Sequence, residues 1–123
     1  MLDAIADGAT VEVPALWPLE VANALVVLVR RRKLSEAERR AALSWLQKLR
    51  LRMDHDGSGL AFARLGELAT AHHLSVYDAT YLDLAQRRAL PLACQDGPLA
   101  TAARTLELPL WRAPHQAPPS PAP

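Results

Sequence analysis

The hydrophobic and polar positions of this chain fall into short apolar runs separated by longer segments of helical periodicity. Residues 10–13 alternate and are rich in β-branched side chains, which indicates a strand that ends at Pro14. Residues 51–53 and 91–94 are two further short apolar runs, and residues 108–111 a fourth at an edge. Because short strands alternate with helices, the sequence predicts an α/β fold with a parallel sheet.

Five segments carry helical periodicity or helix end signals. Ser35 and Ser75 are the expected N-caps of two of them, and Glu38 completes a capping box with Ser35. The predicted helices are residues 16–32, 35–50, 56 or 58 to 73, 75–88 and 98–106. Residues 1–6 are interpreted as the end of an earlier helix stopped by Gly8.

Length and composition indicate one domain in residues 1–112, followed by a Pro-rich, disordered tail in residues 113–123. The single cysteine, Cys94, cannot form an internal disulfide, so a reduced, cytoplasmic setting is expected. No signal peptide is visible at the start. The longest apolar run, residues 24–29, is far below the roughly 20 residues that a membrane span needs, so no membrane association is expected.

The net charge is only +1, but the charges are unevenly placed. Residues 30–52 hold nine of the 14 basic residues and two of the 13 acidic ones, a local charge of +7, and the rest of the chain carries −6. A basic stretch beside an acidic remainder fits a metal site next to a phosphate-binding surface. A solvated helical face explains the same pattern.

One predicted helix is apolar on all sides apart from two polar residues. Glu20 and Asn23 interrupt the apolar run of residues 19–29, and their spacing of three places them on one face. A helix this apolar is expected to be buried, and a buried carboxylate is costly unless it is paired or bound to a cation. Glu20 also suits the positive N-terminal end of a helix without any further function.

Two more acids lie at element ends. Asp78 is in the first turn of the helix capped by Ser75, and Asp96 follows the apolar run 91–94. Each has a structural explanation, since Asp78 fits a capping pattern and Asp96 could cap the helix that starts at Pro98. Taken jointly, three carboxylates at such positions would suit Mg²⁺ or Mn²⁺ and metal-assisted hydrolysis of a phosphate.

Other clusters are weaker candidates. The segment Asp54-His55-Asp56-Gly57 lacks the third acid and the closing Glu of a calcium loop. His72 and His73 are adjacent, so their side chains point in different directions, and a helix end is the better interpretation.

Three ordered motifs resemble those of PIN-domain ribonucleases of the VapC toxin type. Residues 13–25, VPALWPLEVANAL, resemble the second acidic motif of the family, and residues 74–82, LSVYDATYL, the third. Residues 91–96, PLACQD, followed by Leu99 and its helix, resemble the fourth. With their spacing, the resemblance covers roughly residues 1–111.

The resemblance implies a three-layer α/β fold and a metal-dependent endoribonuclease that hydrolyses RNA phosphodiesters. Family members are usually toxins silenced by a cognate antitoxin and are often homodimers. Carried over to this chain, Glu20, Asp78 and Asp96 would be the catalytic residues and the ligands of Mg²⁺ or Mn²⁺. Asn23 and Thr80 would be secondary contacts.

The chain departs from the family pattern at its start. Family members begin with a central strand that carries a first Asp, here expected between the strands at residues 11 and 92. About 30 residues or more, the size of a strand and its crossover, are therefore expected to be missing. A misassigned start, a decayed gene or a strand supplied by another chain would each explain this, and the first two are favoured. The activity of this chain is then expected to be impaired.

Two other functions stay open at this stage. A catalytically inactive remnant of the domain would act as a protein-binding module for an antitoxin or for a second copy. A basic helical binder centred on residues 30–52 would bind RNA in a strongly salt-dependent manner without cleaving it.

Overall fold

The computed structural model describes residues 10–95 and 97–111. Within these ranges it is a mixed α/β fold with five α-helices and a two-stranded parallel sheet. In chain order the elements are β1 (Val11–Pro14), α1 (Trp17–Arg30), α2 (Glu36–Leu46), β2 (Leu51–Asp54), a 3₁₀ turn (Gly57–Leu60), a π turn (Ala61–Leu65), α3 (Gly66–His72), α4 (Val76–Arg88) and α5 (Pro98–Thr105). The predictions for residues 1–9, Asp96 and residues 112–123 lie outside the described residues.

The predicted parallel pairing is confirmed for β1 and β2. The two strands run in register from the pair Val11 and Leu51 to the pair Pro14 and Asp54. The Val11 N–H donates to the Arg50 carbonyl at 2.8 Å, which starts the ladder.

The strand predicted at residues 91–94 is reduced to a single bridge residue. Leu92 pairs in parallel with Leu110, donating to the Pro109 carbonyl and accepting from the Trp111 N–H, both at 2.9 Å. Pro109 has no N–H to donate to the Leu90 carbonyl, so the ladder cannot extend in that direction. The short apolar run is therefore extended but pairs over one residue.

The N-caps predicted from serine are confirmed. The Ser35 hydroxyl accepts from the Glu38 N–H at 3.0 Å and the Glu38 carboxylate accepts from the Ser35 N–H at 2.9 Å, a complete capping box. The Ser75 hydroxyl accepts from the Asp78 N–H at 3.0 Å. Helix α2 ends at Leu46 rather than near residue 50, because the chain turns there to enter β2.

The helix predicted from residue 56 or 58 to 73 is wrong as a single element. Asp56 makes no side-chain cap, and the segment forms a 3₁₀ turn and a π turn before α3 begins. Gly57 and Gly59 disfavour a regular first turn. The Gly57 N–H donates to the Asp54 carboxylate at 3.1 Å, so the segment starts tied to the end of β2.

Helix α4 is the centre of the core. It contacts β1, α3, α5 and both irregular turns. Its residues Leu82 and Ala85 form one buried cluster with Leu92, Ala102 and Ala103. Leu82 is completely buried. The segment that carries Asp78 is therefore part of the best-packed element described.

The expectation that α1 is buried is wrong in the described chain. No α1 residue is buried, and Leu19 is 75% exposed. The half-buried positions lie mostly along one side of the helix, so most of the other side stays exposed. These half-buried positions are Trp17, Pro18, Val21, Leu25, Val26, Val27 and Val29. An apolar sequence allows a helix to pack against neighbours on all sides, but here the described neighbours cover mainly one side.

Four helices are followed by a left-handed residue that is not glycine. Arg32, His73, Ala89 and Glu107 follow α1, α3, α4 and α5 with φ between 53° and 58°. His72 is the last residue of α3 and His73 its C-cap, which confirms that this histidine pair ends a helix. None of the described helices combines the length and the apolar character required to cross a bilayer.

Candidate functional site

Glu20 is joined to α4 by a hydrogen bond across 61 positions of the chain. It lies in the first turn of α1, where Pro18 is an N-terminal helix residue without an N–H to lose. The Tyr81 hydroxyl donates to its Oε1 oxygen. Glu20 itself is exposed.

Asp78 lies one turn before Tyr81 on the same face of α4. It is partly buried in the first turn of the helix, where its backbone N–H donates to the Ser75 cap. The negative charges of both Glu20 and Asp78 act on the Tyr81 hydroxyl. The fold thus brings two of the three predicted acids to one phenol group.

Sequence analysis includes Tyr81 only as part of the motif of residues 74–82 and gives it no role of its own. Burial, the hydrogen bond to Glu20 and the nearby charge of Asp78 all raise the pKa of Tyr81 above its usual 10.0. The hydroxyl therefore remains protonated and acts as a donor that holds the Glu20 side chain. The sequence signal for this role is the spacing of three residues between Asp78 and Tyr81, which places both side chains on one helix face.

The two secondary candidates have different surroundings. Asn23 is exposed on α1, one turn after Glu20. The Thr80 hydroxyl donates to the Tyr77 carbonyl at 2.6 Å, a local bond within α4. Thr80 also lines a small cavity of about 90 Å³ shared with Pro14 and Gly57. These contacts connect Thr80 to its own helix and to the small cavity, and they give it no link to Glu20.

The third predicted acid, Asp96, lies outside the described residues. Its neighbour Gly97 is the N-cap residue of α5. Over residues 10–95 and 97–111, no group of three His, Cys, Asp or Glu side chains is close enough to hold a metal ion. The described part of the site therefore consists of two carboxylates and one phenol.

A buried ion-pair network that the sequence did not predict lies at the other end of α4. Arg87 donates to Asp54 through two N–H groups, at 2.6 and 3.1 Å, and to Asp83 at 2.7 Å. Arg64 also donates to Asp83, and to Gln86 at 2.6 Å. Asp83 is fully buried and Asp54 is 6% exposed. The i,i+4 spacing of Asp83 and Arg87 was the only local signal for it.

This network makes stability depend on pH. The Arg87 guanidinium, aided by the Gly57 N–H, holds the pKa of Asp54 at about 2, below its usual 3.8. A lowered folded-state pKa adds stability that is present above the unfolded value and lost as the pH falls through the folded one. We expect Asp54 to account for a loss of about 2 kcal/mol between about pH 4 and about pH 2.

Urea unfolding across this range, compared with Asp54→Asn, measures the contribution. The variant is less stable at neutral pH, and its curve should approach that of the parent protein as the pH falls. Parallel curves would show that Asp54 does not titrate in this window.

A groove of about 320 Å³ runs between β1 and the Leu92 bridge. Its walls are Val11, Glu12 and Val13 on one side and Leu92 and Ala93 on the other. Its other lining residues are Thr10, Trp17, Tyr81, Leu84, Ala85, Leu90, Pro91 and Trp111. Because Tyr81 lines it, the groove lies next to the candidate acids.

No protein-family model matches the sequence. A search of curated proteins also gives no match. The assignment of a function therefore depends on the residues and on the geometry described above.

Proposed function

We propose that this chain is a VapC-like PIN domain whose activity is metal-dependent hydrolysis of RNA phosphodiesters. The observation that carries the proposal is the hydrogen bond from Tyr81 to Glu20, which joins the first turn of α1 to the face of α4 that carries Asp78 one turn earlier. The proposal includes a PIN-like three-layer fold whose first central strand is not among the described residues. The groove between β1 and Leu92 is compatible with such an arrangement.

The donor set fits a hard divalent cation. Glu20 and Asp78 offer carboxylate oxygens, the ligands that Mg²⁺ and Mn²⁺ take together with water. Asp96 is the third proposed ligand. When bound, Mg²⁺ or Mn²⁺ would activate water and neutralise charge on the phosphate.

The remaining residues of the site position the acids and the RNA. Tyr81 holds the Glu20 carboxylate through its hydroxyl, and Ser75 fixes the first turn that carries Asp78. The run of residues 30–33, all basic, is exposed at the far end of α1. These cations would attract the phosphate backbone of RNA and orient it along the helix.

The test is cleavage of labelled single-stranded and hairpin RNA by this chain with Mn²⁺, with Mg²⁺ and with EDTA. We expect slow cleavage that requires the metal and that falls by at least about 100-fold in Asp96→Asn. Cleavage that persists in EDTA or in the variant would contradict the proposed metal site. A folded chain that shows no cleavage with either metal would contradict the activity of this chain.

A second candidate function is a protein-binding module without catalysis. Leu19 at 75% and Tyr77 at 65% exposed favour it, because the bond between Glu20 and Tyr81 joins the helix turns next to them and an exposed apolar surface of this kind marks protein interfaces. The proposed partners are a cognate antitoxin or a second copy of the chain. Partner binding that is indifferent to metal and to Asp96→Asn, in a chain without ribonuclease activity, would support this function.

A further inference from the structure

Exposed apolar side chains lie on both sides of the bond between Tyr81 and Glu20. Val76 and Tyr77, in the first turn of α4, are 41% and 65% exposed, and Leu19 of α1 is 75% exposed. Leu19 directly precedes Glu20 in α1. Tyr77 lies four residues before Tyr81 on the same side of α4. The bond therefore joins the two helix turns that carry these exposed side chains.

Tyr77 is the aromatic member of this surface. It directly precedes Asp78 and lies one turn before Tyr81, so the three side chains belong to one side of α4. Its backbone carbonyl accepts from the Thr80 hydroxyl at 2.6 Å, a contact that does not involve the ring. An aromatic ring with most of its surface in water offers a face on which another planar group can stack. The fold thus presents a stacking surface next to the candidate acids.

A nucleobase is the planar group that the proposed substrate supplies. Proteins that bind single-stranded RNA stack its unpaired bases on exposed aromatic side chains. The bases of a duplex are already paired and stacked on one another, so an unpaired base is the form that reaches such a ring. The exposed basic run of residues 30–33 begins about 17 Å along α1 from Leu19 and would attract phosphates of the same strand.

Leu19 and Tyr77 also support the second candidate function, and Glu20 distinguishes the two kinds of occupant. An apolar protein surface that closed over both side chains would remove the exposed Glu20 carboxylate from water, which is costly unless the partner supplies a cation. A base stacked on Tyr77 covers the ring and leaves the carboxylate to water or to the metal. The surroundings of the ring therefore favour RNA.

We propose that Tyr77 determines specificity by stacking an unpaired base of single-stranded RNA beside the candidate acids. The inference rests on the proposed ribonuclease activity and assigns its substrate class, a single-stranded segment with an unpaired base next to the phosphate to be cleaved. Stacking requires no metal, so it can be measured apart from cleavage.

The probe is a short fluorescein-labelled oligoadenylate, and its control is the same ribose-phosphate chain without bases. Both carry the same charge, so a difference between them reports contacts to the bases. Fluorescence anisotropy of the full chain is measured in EDTA and low salt, which prevents metal-dependent cleavage. We expect Tyr77→Ala to bind the oligoadenylate about tenfold more weakly than the parent chain and to bind the abasic chain equally well. An unchanged affinity of Tyr77→Ala for the oligoadenylate, or no binding of it by the parent chain, would overturn the proposal.

Two further variants separate stacking from a general loss of apolar surface. Tyr77→Phe keeps the ring, so we expect it to retain the affinity of the parent chain. Phe62→Ala removes an exposed aromatic side chain from the π turn, which Arg64 ties to Asp83 and Gln86 at the other end of α4. We expect no loss for this control. Equal losses for Tyr77→Ala and Phe62→Ala would contradict a stacking site at Tyr77, and circular dichroism checks that every variant is folded.

Two additional measurements distinguish failure of this inference from failure of the proposed function. Analytical ultracentrifugation tests for a protein interface: a Tyr77→Ala variant that loses self-association but binds RNA like the parent chain would overturn stacking in favour of that interface. Cleavage of the oligoadenylate with Mn²⁺ is scored separately. A parent chain that binds bases through Tyr77 but cleaves nothing would contradict the ribonuclease activity and leave the stacking site established.

Discussion

Replacing Arg87 by methionine should destabilise the protein by about 3 kcal/mol. Arg87 is the common partner of Asp54 and Asp83, whose carboxylates are 4% and 0% exposed. Without it, two buried charges lose their main partner, and removal of one member of a buried pair typically costs about 3–5 kcal/mol. The lower figure applies because Arg64 still contacts Asp83 and Arg88 lies 3.5 Å from Asp54.

The measurement is the free energy of unfolding in urea at neutral pH. Arg39→Met is the matched control, because the Arg39 side chain is 25% exposed, close to the 24% of Arg87, but its partner Glu36 is 48% exposed, and an ion pair with a solvated carboxylate contributes little. We expect the control to unfold at nearly the same urea concentration as the parent chain. Equal effects of the two substitutions would mean that the buried network contributes no more than a surface pair.

Replacing Asp78 by asparagine should abolish most of the proposed cleavage and leave the fold intact. The Ser75 cap is made by the backbone N–H of residue 78, which the substitution retains. Loss of a favourable charge at a helix N-terminus costs at most about 1 kcal/mol at such a site. Loss of a metal ligand, by contrast, should reduce the rate of RNA cleavage by at least about 100-fold.

Glu67→Gln provides the control for Asp78→Asn. Glu67 is an exposed acid in the first turn of α3, so its substitution removes the same charge from the first turn of a different helix. Cleavage rates and thermal unfolding of both variants are to be compared. If Asp78→Asn cleaves as fast as Glu67→Gln, Asp78 is a helix-end acid with no part in the reaction.

The predictions made from the sequence are most accurate where the contacts that determine an element are local. The Ser35 capping box and the Ser75 cap depend on residues three positions apart, and both are present. The segment after Asp56 was mispredicted because Gly57 is tied to Asp54 of β2, a contact that competes with a regular first helical turn.

Non-local contacts account for what sequence could not predict at the site. The link between Glu20 and Tyr81 spans 61 positions, and no pattern within either helix specifies it. The burial of Asp83 depends on Arg64 arriving from a separate turn. Conversely, the apolar composition of α1 indicated burial, but the described neighbours cover mainly one side.

The left-handed residues after the helices mark positions at which glycine could add stability to the fold. A residue with a Cβ in this conformation costs roughly 1 kcal/mol relative to glycine, and Arg32, His73, Ala89 and Glu107 all adopt it. Arg32 belongs to the basic run of residues 30–33, and His73 precedes the Ser75 cap, whereas Ala89 and Glu107 lie at the ends of α4 and α5, away from Glu20 and Asp78 in sequence. Glycine at Ala89 and Glu107 could therefore offset destabilising changes made in the groove or in the acidic site without altering the residues proposed for the chemistry.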